Sequence, residues 1–369
     1  MYFGWDVADL ARPPRRRFAR SADAPPLGVA VVGYGYWGPN LARNAAELPE
    51  LSLQALCERD DLRGAAFAQK FPGVPVRKEL DDVLADPDID AVVVATPPVT
   101  HHEICKRALE AGKHVLVEKP LATTADDAYD LVDTANRNGL VLMPGHTFVY
   151  SPAVNTVRAL LAEDVIGDVY FVTSARMNLG KYQRDGVVCD LAPHDLSILL
   201  YWLDEPVVQV TTSACTVYQE GVPETAFMTL TFASGTTANI QVSWLAPRKV
   251  RQMVVVGSKR MVQYDDTASD EPIRVYDRGM DFAGNAPASF GEYQLTYRSG
   301  DVVIPRIDAV EPLSLELQDF AHAVRTGSAP RSNAALGLEI VRVLEAADES
   351  MQRNGAPIVL DPQRARVAA

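Results

Sequence analysis

The stretch LGVAVVGYGYWG, residues 27–38, decides the fold. A short apolar run leads into Gly33, Gly35 and Gly38, and a helical pattern opens directly behind them. Glycines spaced this way between a strand and a helix permit a tight turn, close approach of the backbone to a pyrophosphate, and close helix-to-strand packing, while the helix N-terminus faces the anion. Tyr36 and Trp37 occupy the variable positions of this loop.

Working outward, short apolar runs at 27–33, 51–58, 91–96, 114–119 and 141–148 alternate with helical segments at 36–47, 61–70, 101–111 and 124–138. Continuous apolar strands between amphipathic helices describe a parallel sheet covered on both faces. The pattern predicts a doubly wound α/β Rossmann domain over residues 27–150, followed by a helix at 152–162. Beyond it come longer strands at 168–177, 207–218, 225–233, 236–245 and 251–265, then helices at 312–326 and 335–353 that stop at glycines. TAFMTLTFASGTTANIQVSWL, residues 225–245, reads as a hairpin turning at Ala233-Ser234-Gly235. Residues 151–369 are therefore expected to form an α+β domain built on a large, open, mostly antiparallel sheet.

At 369 residues the chain is long enough for two domains of roughly 100 to 200 residues each. A net charge of -13 excludes broad electrostatic binding to nucleic acid or to an anionic membrane surface. Cys57, Cys105, Cys189 and Cys215 show neither a CxxC pair nor zinc spacing, so they read as reduced thiols, with no metal expected. No apolar run approaches the roughly 18 residues of a membrane span. In residues 1–26, Arg15-Arg16-Arg17 is followed by Ala-Arg-Ser-Ala-Asp rather than an apolar export segment. That stretch reads as a flexible arm on a cytoplasmic protein.

Glu58 lies at the end of the second strand, twenty residues past Gly38. A carboxylate there accepts hydrogen bonds from the adenosine ribose hydroxyls and repels a 2′-phosphate, which favours NAD over NADP. The adjacent Arg59 leaves NADP open, because a guanidinium pairs with phosphate or stacks on adenine.

Three further stretches complete a pattern: Ala95-Thr96-Pro97-Pro98-Val99-Thr100-His101-His102, Glu118-Lys119-Pro120 after the strand HVLV, and Asp190-Leu191-Ala192-Pro193-His194-Asp195. In this order and spacing, from about residue 27 to 360, the chain resembles the glucose-fructose oxidoreductase / inositol dehydrogenase / rhizopine catabolism (Gfo/Idh/MocA) family. GYWGPNLARN, DLAPHDLSIL and SWLAPRKVR are most similar to members that oxidise carbon 3 of UDP-N-acetylglucosaminuronic acid. The resemblance implies an NAD-dependent dehydrogenase acting on a ring hydroxyl of a sugar nucleotide or related sugar. An NAD(P)H-dependent 3-ketosugar reductase is the alternative on the same site, and a non-catalytic sensor is the alternative of another class.

Oxidising a secondary alcohol sends a hydride to the nicotinamide and a proton to a base. Asp190 and His194, four apart, share one face of a helical turn, and Pro193 places that turn at the helix start, where N–H groups are unpaired anyway. The expected roles are proton acceptor for His194, orientation for Asp190, and stabilisation of the developing oxygen charge for Lys119, with Lys119 as the competing base. The resemblance implies that Thr96, Pro97, Pro98 and His101 cover the cofactor and that Glu118 meets its nicotinamide-side ribose. His146 reads as a packed imidazole. Arg176, Asn178, Lys181, Tyr182 and Arg184 are candidate substrate contacts, and Lys249 and Arg251 candidate diphosphate contacts. An open sheet with one bare face implies a homodimer or homotetramer.

Overall fold

The computed structural model describes residues 25–180, 186–282 and 295–361. Residues 1–24 of the expected arm lie outside the described residues. The chain forms two compact units, which first divide at Ser151/Pro152.

The first unit runs through β1 (Leu27–Val32), α1 (Gly38–Glu47), β2 (Leu51–Cys57), α2 (Asp61–Lys70), β3 (Val76–Arg77), α3 (Leu80–Leu84), β4 (Ala91–Val94), α4 (His101–Glu110), β5 (His114–Glu118), α5 (Ala125–Asn138) and β6 (Leu142–Gly145). Its six strands lie parallel in the order β3-β2-β1-β4-β5-β6. Every residue of β1 and β4 is buried, as expected of strands covered on both faces. Each fully buried valine among them contributes about 1.5–3 kcal/mol. Local chemistry sets the helix ends. Thr124 caps α5 by accepting from Asp127 N–H at 3.1 Å, and Gly139 closes it in the left-handed conformation at φ 64°. Strand order reverses between β1 and β4, so the carboxyl ends of the strands form the crevice where such sheets bind ligands. The residues following β1, β2, β5 and β6 are Gly33, Glu58, Lys119 and His146.

The second unit contains α6 (Pro152–Ala162), β7 (Val169–Leu179), α7 (Gly186–Leu203), β8 (Val207–Cys215), β9 (Thr225–Phe232), β10 (Thr237–Ser243), β11 (Leu245–Gly257), β12 (Met261–Asp265), β13 (Ile273–Tyr276), β14 (Gly279–Phe282), β15 (Leu295–Arg298) and β16 (Val302–Val303). The chain continues through α8 (Pro312–Thr326), α9 (Ala334–Gln352) and β17 (Ile358–Val359). A nine-stranded sheet has the order β16-β13-β12-β11-β7-β10-β9-β8-β17, and only its β7–β10 pair is parallel among the described residues. The expected hairpin is β9–β10, turning at Gly235 with φ 92°. Trp202 on α7 donates its indole N–H to the Val154 carbonyl at 2.9 Å, fastening α7 to α6.

Two expectations need correction. Residues 310–346 belong with the first unit, not the second, because α8 and the start of α9 bury their apolar faces there. Leu338 and Val341 share one core cluster with Ala30, Val92 and Val115. The expected strand 251–265 is two strands, β11 and β12, joined by a tight turn in which Gly257 N–H donates to the Arg260 carbonyl. No helix among the described residues is long and apolar enough to cross a membrane.

Candidate active site

The glycine loop fits a dinucleotide. Gly33 sits at φ 94°, and a Cβ there would meet the Ala95 carbonyl and Thr96 at 2.9 Å. A Cβ on Gly38 would stand 2.5 Å from the Gly33 carbonyl, so that close approach requires glycine. Around Gly35, by contrast, no atom of the described residues other than its chain neighbours lies within 4 Å of such a Cβ, leaving open space over the backbone. Trp37 precedes α1 without a side-chain cap; Pro39 brings no N–H to the first turn, and the Asn40 N–H donates to the Trp37 carbonyl at 2.9 Å. Tyr36 is exposed and stacks on Trp37 at 6.4 Å between ring centroids.

Glu58 is buried, and its carboxylate accepts from Tyr34 N–H at 2.7 Å and Asp60 N–H at 2.9 Å. These bonds fix the group beside the glycine loop and leave lone pairs for ribose hydroxyls. Arg59 is exposed on the next position.

The loop after β4 is held from below. Thr100 and Thr96 bring their hydroxyl oxygens to 2.7 Å, with Pro97 and Pro98 between them. His101 opens α4 fully buried, with Nδ1 2.8 Å from the Pro120 carbonyl oxygen and Nε2 2.9 Å from that of Thr96. Both ring nitrogens face backbone carbonyls, so the imidazole is packed beneath the loop and directed at the Thr96 and Pro120 backbone. His102 pairs with Asp130 at 2.6 Å on the helix exterior.

Beside it, Glu118 ends β5 and Lys119 begins a turn whose bond to Pro120 is cis. Glu118 faces Gly145 across the β5–β6 pairing, and its carboxyl carbon would be 3.4 Å from a Cβ on that glycine. Burial pushes its pKa up to about 7, opposed in part by the Lys119 charge, the Lys119 N–H and the Trp37 indole. Glu316 on α8, unexpected from sequence, is 1% exposed. Its pKa rises well above the usual range through burial and then the Glu118 charge. His146 is equally buried, and burial plus the Lys119 charge lower its pKa to about 3. Lys119 thus stands beside the Glu118 carboxyl group and a neutral imidazole, with Glu316 beyond Glu118.

In the second unit, Asp190 and His194 lie one turn apart on α7, both half-buried. Asp190 accepts from the indole N–H of Trp244 at 3.1 Å. Trp244 is 1% exposed and was not among the expected site residues, although it lies inside SWLAPRKVR. Pro193 is interior to α7 rather than in its first turn. There it removes one helical hydrogen bond.

Arg176 corrects another expectation. It is 2% exposed and places Nε at 3.0 Å and Nη2 at 2.8 Å from Asp195 Oδ1, which ties β7 to α7 one residue beyond His194. Its charge is committed to the interior, not to a substrate. Asn178 remains half-buried near the end of β7. Arg251 pairs with Asp266 at 2.8 Å. Lys249 is exposed on a bulge, where residues 246–249 leave the β7–β11 ladder. Lys181, Tyr182 and Arg184 lie outside the described residues.

Residues 27–146 match the GFO/IDH/MocA oxidoreductase family with its NAD-binding Rossmann fold, and residues 154–263 match the GFO/IDH/MocA C-terminal domain. The chain is 29% identical to the UDP-N-acetylglucosamine 3-dehydrogenase of Acidithiobacillus ferrooxidans, over 87% of this chain and 95% of that one. It is similar to a solved structure from Magnetospirillum magnetotacticum MS-1 at 30% identity and TM-score 0.74, covering 87% of this chain and 99% of that one. GenD2 from gentamicin A biosynthesis, solved with NAD, matches at 27% identity and TM-score 0.76 over 92% and 97% of the two chains. The chain belongs to the GFO/IDH/MocA oxidoreductases, an NAD-binding Rossmann family.

Proposed function

We propose that this oxidoreductase removes a hydride from a ring carbon, carbon 3, of a UDP-linked sugar and delivers it to NAD. The observation that carries the reading is the Asp190–His194 pair on α7, in which Asp190 is held by the Trp244 N–H while His194 stays half-buried one turn away. A bare helix cap needs no buried indole to hold its carboxylate. The Acidithiobacillus relative, named for the same carbon of a UDP-sugar, points to the substrate class.

Bound NAD supplies the hydride acceptor. His194 takes the hydroxyl proton as the carbon–hydrogen bond breaks, Asp190 orients it, and Lys119 stabilises the charge developing on the substrate oxygen. Gly33, Gly35 and Gly38 admit the pyrophosphate, Glu58 takes the adenosine ribose and selects against a 2′-phosphate, and Glu118 meets the nicotinamide ribose. Asn178 and Lys249 are assigned to the sugar nucleotide. The enzyme is placed in the cytoplasm as a homodimer or homotetramer.

The test follows absorbance at 340 nm with UDP-N-acetylglucosamine and its uronic acid, in wild type and in Lys119→Ala and His194→Ala. The expectation is a rise with NAD in wild type and loss of most turnover in both variants with NAD binding kept. Near-normal turnover in either variant removes that residue's role. NADH consumption with a ketosugar, and no forward rise, reverses the direction.

A further inference from the structure

Gly180 follows Leu179 at the end of β7, and Leu179 is the register partner of Leu245, so Gly180 lies beside Trp244 across the β7–β11 pairing. Its N–H donates to the Trp244 carbonyl at 3.3 Å. The φ of Gly180 lies outside the left-handed region, so the backbone itself does not ask for glycine. The indole does. A Cβ here would stand 2.3 Å from Cδ1, 2.8 Å from Cγ and 3.0 Å from Nε1 of Trp244. Those atoms belong to a ring that is 1% exposed and packed on its other sides, so an added methyl displaces the ring as a whole. Nε1 is the atom that donates to Asp190 at 3.1 Å.

Asp190 is not free to follow such a shift. The Trp244 N–H donates to the Glu224 carbonyl at 2.9 Å, and the neighbouring Pro223 carbonyl accepts from the Val187 N–H at 3.0 Å in the first turn of α7. Two adjacent carbonyls thus hold the Trp244 backbone and the start of α7 separately. Glu224 is fully buried, and its carboxylate accepts from the Tyr218 and Gln219 N–H groups at 3.0 Å each, which fixes that segment in turn. With both backbones held, a displaced indole loses its bond to Asp190 instead of carrying Asp190 with it.

We propose that Gly180 and Trp244 form one positioning unit of the hydride-transfer site, in which the missing side chain of Gly180 seats the indole where its N–H fixes Asp190 one turn from His194. This rests on the reading of Asp190 and His194 given above. Hydrogen bonds weaken steeply as the donor moves off line, so the seat of the ring decides whether Asp190 is held. The unit acts on orientation and is therefore read in kcat rather than in cofactor affinity. Gly33, Gly38 and Glu58, which are assigned to the dinucleotide, lie in the first unit.

The test combines turnover with nuclear magnetic resonance of the full-length protein, isotope-labelled at the indole nitrogens of its four tryptophans. W244F identifies the Trp244 N–H resonance by its absence, and D190A shows where that resonance lies without its acceptor. For G180A the expected result is a Trp244 resonance moved from the wild-type position toward that of D190A, kcat lowered about tenfold, and NAD affinity unchanged. W244F lowers kcat to a similar extent, and adding G180A to it lowers kcat no further, because the bond through which both act is already gone. An unmoved resonance in G180A overturns the proposal, as do kcat losses that multiply in the double variant. Should G180A not fold, W244F decides: a tenfold loss of kcat with NAD affinity kept supports the positioning unit, and wild-type kcat overturns it. A wild type that oxidises no sugar nucleotide sinks the activity reading, while the resonance still supports or overturns the link from Gly180 to Asp190.

Discussion

The imidazole of His101 stands 2.8 Å from the carbonyl oxygen of Pro120, nineteen residues further along the chain, while its other nitrogen meets Thr96. One buried ring therefore sits between the loop after β4 and the turn that carries Lys119, and burial, which lowers its pKa, favours the neutral form with a single N–H to donate to one of the two carbonyls. His101→Ala removes that N–H and leaves one carbonyl unmet, at a cost of about 1–3 kcal/mol. Urea unfolding is expected to show this loss, and kcat is expected to fall in the folded fraction because the Lys119 turn relaxes. A destabilised variant with wild-type kcat would confine His101 to stability.

Glu58 sets cofactor choice through charge. Glu58→Ser is expected to raise the ratio of NADP to NAD affinity by about tenfold or more, since like charges brought together cost several kcal/mol. NAD binding weakens as well, because the Tyr34 N–H loses its acceptor. Titration with both cofactors checks this; an unchanged ratio would move selectivity to Arg59.

The Arg176–Asp195 pair is buried at both ends. Arg176→Met leaves the Asp195 carboxylate without its countercharge and is expected to cost about 3–5 kcal/mol in denaturant unfolding. Arg176→Met with Asp195→Leu recovers most of it. If the single variant loses nothing, the pair does not anchor α7.

Glu316 gives the stability a pH dependence of known sign. Its raised pKa means the folded state holds a proton that the unfolded chain releases above its ordinary value of 4.5. Stability then falls as pH rises above about 4.5 toward the raised pKa of the folded state. Glu316→Gln keeps the shape and cannot ionise, so its melting temperature is expected to exceed wild type by more at pH 8 than at pH 5. A constant offset would show Glu316 ionised in the folded protein. His146 acts oppositely: with its folded pKa lowered to about 3, it adds stability as pH rises from there toward its ordinary 6.5.

Much of the first unit was legible from periodicity and glycine spacing, because strands such as VAVV and AVVV are buried on both faces and leave continuous apolar runs. α7 was not legible as a whole helix. GVVCDLAPHDLSILLYWL buries residues on most sides, which erases the 3.6-residue pattern, and its interior proline misplaces the start. The short β3 and α3 left no periodic signal. Arg176 was readable in principle, since it shares strand parity with buried Val172 and Ser174. The partners that prepare the site, Trp244 for Asp190 and Glu316 beside Glu118, come from distant segments, which no local pattern reports.

The most direct test of the central claim is mass analysis of the reduced cofactor formed from NAD and a UDP-sugar deuterated at carbon 3. Hydride transfer from that carbon predicts one deuterium in the NADH and slower turnover than with the undeuterated sugar. NADH formed without deuterium would place the oxidation at another carbon and contradict the account.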